Sequence, residues 1–112
     1  MIDSAACRDI ILTYTRHGWI LRRVLLTAEL QSSLGDASGE LFVEVDVNPG
    51  SLDAAWFSRP PATGEIAWEL RHLNIAPFAL LEYLDETAGD FEDKLRAVET
   101  RLTESVAKKR NA

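Results

Sequence analysis

Few of the residue types that do chemistry occur in this chain, and their spacing is not that of a reactive site. His17 and His72 are the two histidines, and neither has a second ligand-type residue at a metal-binding spacing. Each reads as a surface or capping residue. Cys7 is the one cysteine, so neither an internal disulfide nor a cysteine-based zinc site can form within one chain. It falls on the apolar side of an expected helix, where a thiol is buried and inert. Glu82, Asp85, Glu86, Asp90, Glu92 and Asp93 form an acidic run without a base. The run lacks the D-x-[DN]-x-[DN]-G order of a calcium loop and reads as a solvated face. No G-x-G-x-x-G, P-loop, G-x-S-x-G or H-E-x-x-H pattern occurs. The expectation is a non-enzymatic chain with no cofactor, no metal and no catalytic residue.

Aromatic residues offer a different chemistry. Trp19, Trp56, Phe57, Trp68 and Tyr83 could line a pocket, with arginines and a histidine as polar anchors. On that alternative the chain binds a small molecule through Trp56, Arg59, Trp68, Arg71 and His72. The competing reading is that tryptophans in a small domain fill its core.

The elements that must position these residues follow from periodicity. Asp3 or Ser4 can cap a first helix, on which Cys7, Ile10, Ile11 and Tyr14 share one face. Gly18 suits the left-handed position after it. Trp19 to Leu30 reads as a strand, with Ile20, Val24, Leu26, Ala28 and Leu30 on one face and Arg22 as the exception. Gln31 to Glu40 reads as a loop. Leu41 to Val47 alternates apolar and mostly polar residues as a second strand, and Asn48-Pro49-Gly50-Ser51 turns the chain. Asp53 to Arg59 is a third run. There either Ala54, Trp56 and Ser58 share the buried face, or Ala55, Phe57 and Arg59 do. Pro60 to Gly64 breaks the pattern, and Glu65 to Leu73 restores it as a fourth strand. After Asn74 the pattern reads as helical, with Pro77 in a first turn and Phe78, Leu81, Tyr83 and Leu84 as an apolar side. Gly89 ends that segment and Asp90 caps the next. Phe91, Leu95, Val98, Leu102 and Val106 make a clean helical stripe, expected to be the helix's own core contact.

The order α-β-β-β-β-α-α predicts an α+β fold. Its sheet would be a four-stranded antiparallel meander with helices packed on one face. At 112 residues the chain reads as a single domain, 1–112, with 108–112 frayed. An apolar content of 46% fits a folded globular chain. The net charge of −6 argues against nucleic acid and anionic membrane as partners. The lone cysteine and the absence of a basic, apolar amino-terminal segment make a cytoplasmic location the default.

With helices on one face only, the other sheet face would show Leu21, Leu25 and Phe42 beside Arg23, Glu44, Asp46, Glu69 and Arg71. Apolar residues rimmed by charge mark an interaction surface. The expected function is therefore a small acidic protein-interaction or adaptor domain, with an interface of Leu21, Leu25, Phe42 and Trp56. Its partner is itself, as a homodimer, or another protein. A chaperone-like version would take an extended client strand at a sheet edge.

Overall fold

The computed structural model describes residues 2–60 and 66–111. Asp3 starts the first helix, α1 (Ser4–Arg16), by accepting the Ala6 N–H at 2.8 Å. Cys7, Ile10, Ile11 and Tyr14 turn toward the sheet. Gly18 follows with φ +86°, a conformation that a side chain would oppose. The next strand, β1 (Ile20–Leu26), stops earlier than its alternation suggests. Thr27 is the reason. Its hydroxyl accepts the Leu30 N–H at 3.2 Å and caps α2 (Ala28–Leu34), while its own N–H donates to Asp53 Oδ1 at 2.7 Å. Leu30 and Leu34, four residues apart, are then buried on one side of α2.

The segment expected to be a loop is therefore largely helical, since α3 (Ala37–Leu41) follows directly. The expected strand from Leu41 to Val47 also breaks. Glu44 adopts φ +59°, which costs an L-residue roughly 1–2 kcal/mol and turns the chain. Only β2 (Asp46–Pro49) is extended. Next come β3 (Ala54–Arg59), β4 (Ile66–His72) and β5 (Ala79–Leu84), and then α4 (Phe91–Asn111). The expected break through Pro61 to Gly64, the strand start at Glu65 and the terminal Ala112 lie outside the described residues. The helix α4 continues past Lys108, where the sequence pattern ends it.

The α+β class holds, but the sheet is five-stranded and mixed, in the order β2-β1-β3-β4-β5. A simple meander fails at β2, which pairs parallel to β1. Parallel neighbours need a long crossover, and α2 and α3 supply it. The other pairs are antiparallel.

Helices pack on both faces, not one. Ala54, Trp56, Trp68 and Leu70 join the α4 stripe in one core. Ala55 and Phe57 join Val24, Leu26, Cys7 and Leu30 in the other. Both faces considered for β3 are thus buried, apart from the exposed Arg59 at its end, because β3 is the central strand. A β-bulge between Leu21 and Arg23 breaks the alternation of β1. It places Arg22 over the Trp68 ring at 4.8 Å and Arg23 near Phe91, both on the α4 side. Arg22 is therefore no exception in a regular strand but the extra residue of the bulge.

The expected interaction face is absent for the same reason. Leu21 packs against the α1-side core and Leu25 against the α4-side core. Phe42 is outside the sheet and 4% exposed, and Trp56 is 0% exposed. Phe42→Ala should lower unfolding stability by about 3–5 kcal/mol in a urea titration, as a buried aromatic truncation does. A surface interface residue would show no such loss.

Candidate functional site

The sheet has two edges, and they differ. On the β2 side the strand is short and reads Asp46-Val47-Asn48-Pro49, ending in a residue without an N–H. Charge, proline and shortness are the usual protections of an edge. On the β5 side the strand reads Ala-Leu-Leu-Glu-Tyr-Leu, with no proline and no lysine. Leu81 and Tyr83 are 47% and 59% exposed.

Residues 79–84 have good helix formers and were expected to be helical. Tertiary context overrides that propensity. The outer edge of β4 needs partners for its backbone groups, and β5 provides them. Leu80 and Leu84 then pack under α4, against the core that holds Trp68 and Phe91. Glu82 on that face is held by Arg101 of α4 at 2.7 Å. The opposite side chains, Ala79, Leu81 and Tyr83, are exposed. On this side Tyr14 of α1 stacks on Phe57 at 4.1 Å and donates to Glu69 of β4.

The β4–β5 register fixes which backbone groups point outward. The His72 N–H donates to the Phe78 carbonyl at 2.9 Å, and the same register carries through to Ile66 opposite Leu84. In an antiparallel pair, alternate residues direct both backbone groups to the partner. Leu80, Glu82 and Leu84 therefore face β4. Ala79, Leu81 and Tyr83 direct their N–H and C=O groups away from the sheet. Among the described residues no backbone bond from another element closes that row.

Sequence reasoning missed this edge because it read 79–84 as helix. No period-two signal marks it, because Leu80 and Leu81, and Tyr83 and Leu84, are adjacent apolar residues.

The residues singled out from sequence are dispersed. Trp56 and Trp68 meet edge to face at 6.1 Å on the α4 side. Arg59 lies over Trp19 at 4.9 Å on the opposite side. Arg71 is buried and donates to the His72 and Asn74 carbonyls. His72 lines a separate cavity with Phe78 and Val106. The proposed aromatic and arginine set is thus split between the sheet faces by its own alternation. Trp56 and Leu25 do line one cleft of about 260 Å³ between β1 and α4. Several of its polar groups are already engaged. Arg23 forms a bidentate pair with Glu92, which holds the guanidinium proton more tightly and lowers the Glu92 carboxyl. The Trp56 indole donates to Glu99 at 2.9 Å. Arg22 similarly takes Glu86 and Ser58.

Cys7 is fully buried, and desolvation pushes its thiol up to about 11. No His, Cys, Asp or Glu group able to hold a metal occurs among the described residues. Nor is any described helix long and apolar enough to cross a membrane. No family model, curated protein or solved structure matches the chain.

Two measurements follow from this geometry. Burial, then the bond to Glu69, raises the Tyr14 hydroxyl above its ordinary value of 10.0. The fold thus keeps the proton that the unfolded chain would lose. That stabilisation is intact below about pH 10 and is lost as the pH rises further. Urea midpoints between about pH 8 and pH 11 should fall for the native chain and fall less for Tyr14→Phe. On β5, Leu80→Pro should melt the domain by removing a bond to β4. Leu81→Pro should leave the circular dichroism near native, because its N–H points outward.

Proposed function

We propose that this chain is a protein-interaction domain that binds by strand addition at the outer edge of β5. The observation that carries the reading is the outward row of backbone groups at Ala79, Leu81 and Tyr83, next to exposed Leu81 and Tyr83 side chains. An added strand gains main-chain hydrogen bonds for affinity, and alternate side chains give selectivity. An edge this long, apolar and unguarded is otherwise an aggregation hazard. The contrast with β2 supports the reading, since that edge carries Asp46 and Pro49 and needs no partner. The interface expected at Leu21, Leu25, Phe42 and Trp56 is replaced by this one. An extended client and a subunit of an assembly are both compatible with strand addition.

A photo-crosslinking amino acid at Tyr83, and in a separate variant at Val47, tests the edge in cells that make the protein. Adducts at Tyr83 and none at Val47 are expected. Crosslinking at Val47 alone, or at neither position, would refute the β5 assignment.

A further inference from the structure

The outward groups of β5 are self-complementary. Two β5 strands placed antiparallel about a two-fold axis normal to the sheet can meet in only a few registers, because each residue must oppose one on the same face. With the axis at Leu81, that residue opposes its own copy and Ala79 opposes Tyr83. These are the residues whose backbone groups face outward. Every outward N–H and C=O then finds a partner. With the axis at Glu82, two carboxylates meet across the dimer and Ala79 falls outside the ladder. With the axis at Leu80, Tyr83 would oppose Pro77, which has no N–H.

Charge selects the same register. The chain carries a net −6, which opposes association at long range. At the edge itself Glu82 is the one charged residue of β5, and Arg101 already holds it. The Leu81 register sets Glu82 opposite Leu80 and not opposite its own copy. On the other face it brings Leu81 against Leu81 and Tyr83 over Ala79, where the small side chain leaves room for the ring. Aliphatic and aromatic cross-strand pairs of this kind contribute roughly 0.2–1 kcal/mol each.

We infer that the strand added at β5 is the β5 of a second copy of this chain, paired antiparallel with Leu81 on the two-fold axis. This rests on the reading of β5 as the docking edge. The result is a continuous sheet across the dimer, with both α4 helices on one side. One strand edge buries little area compared with a standard interface of about 1,600 Å². The dimer is accordingly reversible and concentration-dependent, not obligate.

The register makes a symmetric charge test possible. Lysine introduced at Leu81 would oppose lysine. Leu81→Lys and Leu81→Glu, each alone, should raise the dimer dissociation constant about tenfold or more in sedimentation velocity. Mixed together, they should restore a dimer at the native concentration range. Circular dichroism checks that each variant remains folded, as an exposed position allows. Oxidation of Leu81→Cys should give a disulfide-linked dimer, because directly opposed Cα atoms of a hydrogen-bonded pair lie about 5.5 Å apart. The buried Cys7 does not compete. A dimer that persists in both single charge variants would overturn the inference, as would a mixture that stays monomeric. A disulfide that forms only between Leu81→Cys and Tyr83→Cys would assign a different register and also overturn it. If the native chain is monomeric while the Tyr83 photo-adduct contains another protein, the second copy is excluded and the edge reading stands. If Tyr83 gives no adduct at all, the edge reading itself falls.

Discussion

Burial of β3 on both faces is the constraint on which the rest of the molecule depends. Ala54, Trp56 and Ser58 point to one side and Ala55 and Phe57 to the other, and all are buried. A strand of that kind needs a cover on each side and a neighbour on each edge. α4 covers one side with its stripe of Phe91, Leu95, Val98, Leu102 and Val106. α1 and α2 cover the other with Cys7, Leu30 and Leu34. The neighbours β1 and β4 inherit the same requirement. It weakens outward, so β2 and β5 are buried mainly on the inner side or not at all.

The arginines of β1 show how the bulge serves that arrangement. Without the extra residue, Arg22 and Arg23 would point to opposite faces. With it, both lie beside aromatic rings at the margin of the α4 core, and each reaches a carboxylate near or within the start of α4. Such partly exposed pairs contribute little stability individually. Their effect is positional: Glu86 and Glu92 fix the path from β5 into α4. The β4–β5 register then leaves the outer row of β5 backbone groups directed away from the sheet.

The candidate interaction edge is therefore a by-product of how the core is closed. β5 is recruited to complete β4 and to seat Leu80 and Leu84 under α4. Among the described residues, its outward backbone groups take no backbone partner from another element, and Leu81 and Tyr83 stay exposed. A sheet can avoid this by ending in a charged or proline-bearing strand, as it does at β2. At β5 the chain instead keeps an apolar edge without proline or lysine, and the proposed partner supplies what the fold does not.

The sequence by itself determined the elements whose signals are strong and local. An Asp3 or Ser4 cap and Gly18 bound α1, alternation marked β4, and the 4-3-4-4 stripe marked α4, whereas β3 was legible only as a run between two turns. These depend on spacing within one segment, and spacing is written in the chain. Tertiary structure alone decided the rest. Thr27 could have continued a strand, but its cap and the Asp53 carboxylate turn the chain into α2. Leu41 to Val47 alternates like a strand, yet Phe42 is drawn into the α1-side core and Glu44 turns. Residues 79–84 favour a helix, yet the open side of β4 makes them a strand. In each case a short segment has nearly balanced local preferences, and contacts with distant residues tip the balance. The candidate site lies in such a segment, so the sequence showed its residues but not its edge.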